Sequence, residues 1–383
     1  MLHSPVQHVF GHTPQSLGRW CATHSAPTYR ADQILDWVYR KNVIDPSAMT
    51  NLPEADRVLL TSEMAFLTGD QLAHQIATDG VQKLLIQWTD SEEANVNSHE
   101  TGSGTDRLAR SLPILETSDE SDPARQTECV MIPTDKRKTA CISSQVGCPV
   151  RCAFCASGLG GLDGNLSAGR IVEQVWRLAQ LENVGRISNV VFMGMGEPLA
   201  NFAAVKQAIE TIAAPWGMNI SARKITVSTV GLPKYIDRLS AELDLPVTLA
   251  LSLHAPSDDL RRRLIPWSEL TTIDDLLGAC QRWFKKTGRE ITLEYILLGG
   301  VNDQPAHARA LAKLARQMRS NVNLIRYNEV ADLAFKRPTD ADVRAFENVL
   351  QDAGVNAHIR ASRGRDIAAA CGQLRHESVS TGL

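Results

Sequence analysis

Three cysteines, Cys148, Cys152 and Cys155, lie on one short segment in a C-x₃-C-x₂-C pattern. Cysteine thiolates bind zinc, and they also hold the iron atoms of iron–sulfur clusters. A structural zinc site normally closes four ligands, often as two C-x₂-C pairs, whereas this segment supplies three. The pattern therefore favours a [4Fe–4S] cluster in which one iron stays open for a substrate or cofactor. A zinc site with a distant fourth ligand is the alternative.

Length, charge and cysteine usage narrow the class of protein. The chain has 383 residues, eight cysteines and a net charge of −3. Clustered cysteines in a long chain without an export signal indicate metal or redox chemistry rather than disulfides. The sequence shows neither a signal peptide nor a run of 18 apolar residues, so we expect a cytoplasmic protein without a membrane span. Basic runs at 135–138, at 261–263 and around Arg360, Arg363 and Arg365 are interpreted as solvated surface.

Strand patterns alternate with helix patterns from about residue 139 onward. Repeated β-then-α units predict a parallel sheet, and seven strands with six helices predict a barrel or partial barrel. Functional residues in such folds lie at the C-terminal ends of the strands. The predicted strands are 139–143, 188–193, 224–228, 247–253, 291–297, 323–326 and 357–361. The predicted helices are 168–181, 203–213, 234–243, 273–285, 306–318 and 341–353.

The N-terminal part of the chain has a different pattern. Apolar residues at helical spacing predict a helix over 31–39, residues 49–53 read as a turn into another helix, and 79–88 reads as a turn and a strand. Residues 90–126 are polar and acidic, with nine acids and three bases between 90 and 125. Such a segment buries little apolar surface, so we predict a disordered insertion there.

Several motifs resemble one family of enzymes. A C-x₃-C-x₂-C motif after the first strand of an α/β barrel resembles the radical S-adenosylmethionine (SAM) enzymes. The sequences Cys141-Ile-Ser-Ser-Gln-Val-Gly-Cys148, Gly194-Met-Gly-Glu-Pro198, Ser252-Leu-His254 and Ala370-Cys-Gly-Gln-Leu374 resemble the radical SAM RNA adenine methyltransferases. The resemblance runs from about residue 29 to 374, apart from 90–126.

The resemblance implies a fold and a division into domains. It implies an α/β protein, a radical-SAM partial (β/α) barrel with a small N-terminal helical accessory domain. The accessory domain and a strand would occupy 1–89 and contact RNA, the insertion 90–126, the barrel 127–376 and a tail 377–383. Tyr29, Trp37 and Tyr39 of the accessory domain could stack on bases, but we expect them to pack in the core.

The resemblance also implies a reaction and the residues that perform it. Cys148, Cys152 and Cys155 would hold a [4Fe–4S] cluster whose open iron binds SAM, and reduction would yield a 5′-deoxyadenosyl radical. Cys371 would carry the methyl group to carbon 2 of an adenine, Glu128 would accept a proton, and Cys141 would resolve the enzyme–RNA adduct through a transient disulfide. The implied SAM-binding residues are Gly196, Glu197, Ser228, Ser252, Leu253, His254 and Asn328.

The implied partners are RNA and an electron donor. The RNA would be 23S ribosomal RNA, with transfer RNA as a second substrate in some members, and the donor would be flavodoxin or ferredoxin. We expect a monomer. The remaining cysteines Cys21, Cys129 and Cys280 have no implied role and are interpreted as structural.

Some residues depart from the family pattern and leave alternatives open. Gly164 stands where the family usually has arginine, and Arg326, Tyr327 and Glu329 replace a run of proline, tryptophan and asparagine. The alternatives are methylation of carbon 8, a radical SAM enzyme with another substrate, and a non-enzymatic iron–sulfur protein that binds RNA. Cys371 could also be a small buried residue of an alanine-rich helix over 367–374.

Overall fold

Fourteen strands and ten helices make up the described part of the chain. The computed structural model describes residues 7–89, 125–331 and 333–374; the predicted insertion lies almost wholly outside these ranges, as does the predicted tail. The strands are β1 (Gln7–His8), β2 (Met64–Ala65), β3 (Gly69–Ile76), β4 (Gln82–Trp88), β5 (Gln126–Pro133), β6 (Lys138–Cys141), β7 (Gln145–Gly147), β8 (Leu162–Asn165), β9 (Asn189–Phe192), β10 (Ile225–Thr229), β11 (Thr248–Ser252), β12 (Ile291–Leu297), β13 (Ser320–Arg326) and β14 (Ala357–Arg360). The helices are α1 (Pro14–Thr23), α2 (Arg30–Tyr39), α3 (Glu54–Glu63), α4 (Ala168–Gln180), α5 (Phe202–Ala213), α6 (Pro233–Glu242), α7 (Asp258–Leu264), α8 (Ile273–Thr287), α9 (Pro305–Ala315) and α10 (Asp340–Asp352).

One ten-stranded sheet carries the architecture, in the order β14-β13-β12-β11-β10-β9-β6-β5-β4-β3. The seven strands from β6 to β14 are parallel, and they are the seven strands that the alternating pattern predicts. The sheet ends on β14 and on β3, so the predicted partial barrel is confirmed. The C-terminal ends of the parallel strands lie at one edge, where ligands bind in such folds.

Three antiparallel strands, β3 to β5, extend this sheet. Strand β4 was expected from the sequence, but the pattern did not indicate β3 or β5. In β3 every residue after Gly69 is exposed or half-exposed because the strand lies at the sheet edge, so its sequence is mostly polar. In β5, residues 126–131 are buried on both faces, so polar and apolar residues do not alternate there.

Helices pack on the sheet through apolar stripes. In α4, Ile171, Val172, Val175 and Leu178 are buried at helical spacing, and the Ser167 hydroxyl caps the helix by accepting from the Arg170 amide. These stripes and the outer face of the sheet form the largest apolar core. Among the described residues, no helix is both long and apolar enough to cross a membrane.

The N-terminal helices pack against α4 through aromatic contacts. The Phe10 ring lies 5.9 Å from the Trp176 ring and 5.7 Å from the Tyr39 ring. Trp37 and Tyr39 are partly buried against the core, as the sequence predicts. Tyr29 is 56% exposed, so the expectation of core packing is wrong for this residue; its ring stacks on its own neighbour, the Arg30 guanidinium.

Candidate active site

The three cysteines lie on the loop that follows β7, and each is half-buried. The Cys148 amide donates to the Gly161 carbonyl at 2.6 Å, and the Cys155 amide donates to the Cys152 carbonyl at 3.1 Å. Gly147 adopts φ +71°, and a Cβ there would lie 2.1 Å from the Gly161 oxygen, so only glycine fits this turn. The loop thereby folds back on itself, with its three thiols packed against one apolar cluster.

That apolar cluster also contains Cys371. Burial raises the pKa of Cys148 to about 12 and also raises the pKa values of Cys152 and Cys155; neighbouring thiols add to the effect for Cys148 and Cys152. Without a metal the three thiols are therefore protonated at neutral pH. Because cysteine binds iron as a thiolate, occupation of the site releases protons.

The number of thiols on this loop favours a cluster over a structural zinc ion. Among the described residues, no three His, Cys, Asp or Glu side chains are placed to hold one metal ion. A structural zinc site closes four ligands, whereas three sulfur donors on one half-buried loop match a cluster with one open iron.

Glu197 lies in the interior on the loop after β9, and its carboxylate is 3% exposed. One oxygen accepts from the Leu199 amide at 3.0 Å, and the other accepts from the Val230 amide at 2.8 Å. Burial raises the pKa of this carboxyl to about 7, although the hydrogen bonds oppose the shift. The Thr229 hydroxyl also hydrogen-bonds this carboxylate. A carboxylate has about four acceptor directions, so one remains for a cation.

Gly194 and Gly196 hold the Glu197 loop against the chain that follows β6. A Cβ on Gly194 would lie 2.6 Å from the Ser143 hydroxyl, and one on Gly196 would lie 2.9 Å from the Gln145 nitrogen. Gly196 also has φ +100°, which disfavours other residues. Besides allowing close approach to a ligand, glycine is therefore required here by backbone packing.

Ser228 and Ser252 are neighbouring hydroxyls at the ends of β10 and β11. Their Oγ atoms lie 3.2 Å apart, and both side chains are half-buried. They lie on adjacent parallel strands, so the two hydroxyls point into the same region at the strand ends. The structure thus brings together two of the residues that the sequence predicts for cofactor binding.

Arg261 lies on α7 next to the same strand ends. Its side chain is buried, and the residue is 1% exposed. Its guanidinium donates to the carbonyls of Leu253, Val230 and Ser252. Burial lowers its pKa to about 10, so the side chain remains charged at neutral pH. The expectation that the run 261–263 is solvated is wrong for this arginine, because its donors pair with backbone carbonyls that the sequence pattern cannot identify.

His254 is a packed residue next to the cluster loop. Its Nδ1 accepts from the Ile296 amide at 3.1 Å, and its ring lies edge-on to Phe154 at 5.1 Å. Burial lowers the pKa of this imidazole to about 3, so the ring is neutral throughout the working range. Leu253, which precedes it, is fully buried and donates its amide to the Glu294 carbonyl at 3.1 Å.

Asn328 follows β13 and is 2% exposed. Its Oδ1 accepts from Arg337 at 3.0 Å, and the same guanidinium nitrogen donates to the Tyr327 carbonyl at 2.9 Å. Arg337 therefore fixes the turn that places Asn328 at the strand end. Tyr327 points into the apolar cluster around the three cysteines.

Cys371 lies on a loop that docks directly onto the cysteine loop. The Ala156 amide donates to the Gly372 carbonyl at 2.8 Å, and the Ser157 hydroxyl donates to the Leu374 carbonyl at 2.6 Å. The predicted helix over 367–374 is wrong: a single 3₁₀ turn, Arg365–Ile367, ends where Ala368 adopts φ +49°. Instead, backbone carbonyls of this loop accept hydrogen bonds from the loop of the three cysteines. Cys371 lies half-buried beside that loop.

Cys141 ends β6 and faces the same region as Cys371. Its side chain is 5% exposed, and burial, with a smaller contribution from Cys371, raises its pKa to about 12. Arg360 extends from β14 to the Met193 sulfur at 3.5 Å and opposes this shift. The proximity of Cys371 raises the pKa of Arg360, which places one fixed cation near both thiols.

Glu128 lies on β5 and is 5% exposed. Its Oε1 lies 2.6 Å from the Lys83 ammonium, which extends from the neighbouring strand β4. The sequence motifs include Glu128 but give no indication that Lys83, Arg261 or Arg360 lie beside it or at the strand ends. Because lysine and arginine are usually exposed, their types alone gave no signal of burial.

Comparison with known proteins places the chain in a family. The Radical SAM superfamily model matches residues 142–312, and the model of the ribosomal RNA large subunit methyltransferase N-terminal domain matches residues 8–65. The chain is 38% identical to a radical SAM methyltransferase of known structure from Sphaerobacter thermophilus, with a TM-score of 0.85 over 97% of this chain and 100% of that one. It is therefore a radical SAM enzyme.

Similar curated proteins identify the family within this class. Proteins named probable dual-specificity RNA methyltransferase RlmN are 41% identical in Thermosynechococcus vestitus and 38% identical in Rhodopirellula baltica. The alignments cover 96% of this chain in both cases, and 98% and 90% of those relatives. The chain belongs to the RlmN family, whose members use a [4Fe–4S] cluster and SAM.

Proposed function

We propose that this enzyme methylates carbon 2 of an adenine in 23S ribosomal RNA and in transfer RNA. The proposal rests chiefly on Cys371, whose loop docks on the cysteine loop through hydrogen bonds to Ala156 and Ser157. A radical SAM enzyme of another type needs no thiol at this place. Family membership and the nearby Cys141 support the same reaction, and the names of the curated relatives support an RNA substrate.

The residues of the chain divide the work as follows. Cys148, Cys152 and Cys155 hold the cluster, which when bound supplies the electron that cleaves SAM. Cys371 accepts a methyl group from SAM and presents it to the base. The adenine ring carbon is electrophilic and does not accept a methyl cation directly, so the methyl group reacts after loss of a hydrogen atom. Glu128 takes the proton that leaves the ring carbon.

Cys141 completes the reaction by attacking the sulfur of Cys371. By then the radical adduct has given up one electron, which the cluster when bound could take back. The attack breaks the S–C bond, and the methylene carbon keeps the bonding pair and takes up a proton to become the methyl group. A disulfide is left between the two cysteines, which an external reductant returns to thiols. The Cys141 thiol is buried and has a raised pKa, so we propose that Arg360 assists its ionisation at this stage.

The cofactor pocket lies at the ends of the parallel strands. We propose that Glu197 binds the amino group of SAM and that Asn328, Ser228 and Ser252 supply further polar contacts. Gly196, Leu253 and His254 shape the backbone of the pocket. Arg261 holds the strand ends in place and does not itself contact the cofactor.

The raised pKa of Glu197 gives a pH-dependent affinity for SAM. The ionised carboxylate attracts the ammonium group, and with a pKa of about 7 the carboxyl is largely neutral at pH 6. We expect SAM to bind about tenfold more weakly at pH 6 than at pH 8. Calorimetric titration of the cluster-loaded enzyme under anaerobic conditions measures this affinity. Glu197→Gln should bind weakly at both pH values, and an unchanged pH dependence in that variant would assign the effect to another group.

Partners and place of action follow from the proposed reaction. Flavodoxin or ferredoxin would supply the electron, and the enzyme would act as a monomer in the cytoplasm. RNA would be bound by the N-terminal helices and by exposed arginines, whose contacts with phosphates weaken with salt.

Mass spectrometry of RNA tests the substrate and the ring position. Ribosomal and transfer RNA from cells with and without the gene would be digested and compared, with synthetic 2-methyladenosine and 8-methyladenosine as standards. We expect loss of 2-methyladenosine from both RNAs when the gene is absent. Loss of 8-methyladenosine instead would assign the enzyme to carbon 8, and unchanged RNA would contradict the proposed substrate.

A further inference from the structure

We propose that Lys83 is a positioning residue: it holds Glu128 as an ionised base and links that base to the loop that carries Cys371. The inference rests on the proposed function, in which Glu128 accepts the proton and Cys371 carries the methyl group. Its basis is one buried ammonium group that contacts both parts of the site.

Lys83 and Glu128 are diagonal neighbours on adjacent antiparallel strands. In the register of β4 and β5, Lys83 pairs with Val130 and Leu85 pairs with Glu128, so the two charged side chains share one face. The ammonium lies 2.6 Å from Glu128 Oε1, and the side chains are 9% and 7% exposed. The pair therefore faces the interior of the partial barrel, where Val130 packs with Cys141.

The second contact of Lys83 is with the methyl-carrying loop. Its ammonium lies 3.4 Å from the carbonyl of Ala368, three residues before Cys371. The same loop is also held by Asp366, which accepts from the Thr78 amide at 2.8 Å. A third hydrogen bond on this side runs from the Gly364 amide to Asp79 at 3.0 Å. Lys83 is the one of these three contacts that also reaches Glu128.

Stability of the fold alone does not explain the presence of a buried ion pair such as Lys83 and Glu128. Removing two charges from water costs about as much as their attraction returns, and an apolar pair of similar volume is often as stable. Lysine is also rarely buried without a specific partner. A charged pair that lies beside the reacting thiols therefore indicates a role in the reaction.

Several charged and titratable groups lie around Glu128. On the same face, β6 contributes Cys141, β14 contributes Arg360 toward Met193, and the C-terminal loop contributes Cys371. On the opposite face of β5, Cys129 lies near Glu173 and Arg177. Among these groups, Lys83 is a cation at ion-pair distance from the Glu128 carboxylate.

The chemical consequence concerns the proton-transfer step. When the proton leaves the ring carbon, the bonding pair of the C–H bond stays on the adduct and a Glu128 oxygen becomes protonated. This step requires that Glu128 starts as a carboxylate. An adjacent ammonium favours the ionised form, whereas burial without it favours the neutral carboxyl. Lys83 exchanges no proton with RNA in this step.

Substitution of Lys83 tests the inference through a pH profile. In Lys83→Met the pH at which the rate of RNA methylation rises should be about 1–3 units higher than in the wild-type enzyme. The reason is that the Glu128 carboxyl stays neutral to higher pH. At a pH below this rise the rate would fall by about tenfold or more. Methylation of Cys371, measured by mass spectrometry of the protein, should persist because it precedes use of the base.

Three further variants separate the charge from the structural contacts. Lys83→Arg should restore the wild-type profile, and Lys83→Gln, which keeps a hydrogen-bond donor without the charge, should shift as Lys83→Met does. Lys83→Gln also serves if Lys83→Met does not fold. Asp366→Asn weakens another contact of the same loop and should leave the pH at which the rate rises unchanged.

The outcomes distinguish this inference from the proposed function. A wild-type pH profile in Lys83→Gln or Lys83→Met would overturn the role of Lys83, as would the same shift in Asp366→Asn. Wild-type enzyme that methylates Cys371 but no RNA base would instead contradict the proposed function, whatever the Lys83 variants do.

Discussion

Cys371→Ala should abolish methylation of RNA while the iron–sulfur cluster remains bound. The three cysteines proposed to hold the cluster lie on a separate loop. The segment around Cys371 contacts that loop mainly through the backbone carbonyls of Gly372 and Leu374. Its removal deletes the only proposed methyl acceptor. We expect the rate of RNA methylation to fall by at least about 10³-fold.

Two measurements on anaerobically reconstituted enzyme check this expectation. Iron and sulfide analysis with the visible absorption spectrum should show a normal cluster, and mass spectrometry should find no methylated RNA. Cys280→Ala is the matched control, since it removes a buried cysteine on α8 and should keep both properties. Normal RNA methylation by Cys371→Ala would remove the thiol from the mechanism.

Cys141→Ala should trap the enzyme on its RNA. Without the second thiol, the bond between the Cys371 sulfur and the methylene carbon has no attacking partner, so turnover should stop at a covalent adduct. The overall rate should fall by at least about a hundredfold. The adduct would be seen as a protein band of reduced mobility in a denaturing gel that disappears after ribonuclease treatment.

The double variant provides the control for this experiment. Cys141→Ala combined with Cys371→Ala should form no adduct, because the methyl carrier is missing. A Cys141→Ala enzyme that turns over normally, with no adduct at any time, would show that another group resolves the intermediate. Cys129 is a poor substitute, since it is fully buried on the opposite face of β5 and burial raises its pKa.

The sequence predicted the parallel part of the fold because the pattern there is local. Residues 291–297, for example, are apolar apart from Thr292 and Glu294, and the structure places β12 at the same residues. The antiparallel strands were harder to predict: β3 is polar because it lies at the sheet edge, and β5 is buried on both faces. Neither strand shows the alternation that identifies a half-buried strand.

The site residues were predicted to the extent that their motifs are contiguous. The spacing of the three cysteines and the motif around Cys371 lie within short segments. By contrast, the contacts of Lys83 with Glu128 and Ala368, and of Arg261 with three carbonyls, join residues from different parts of the fold. Such contacts depend on sheet register and loop docking, which sequence spacing does not reveal.

The central claim is that the methyl group reaches RNA through Cys371, loses one hydrogen atom to the 5′-deoxyadenosyl radical and regains a proton when the product is released. SAM with a fully deuterated methyl group tests it directly, with mass spectrometry of both products. The mechanism predicts that the RNA methyl group keeps two of the three deuterium atoms and that 5′-deoxyadenosine gains one. An RNA methyl group that retains all three deuterium atoms would contradict the mechanism, because it would mean direct transfer from SAM.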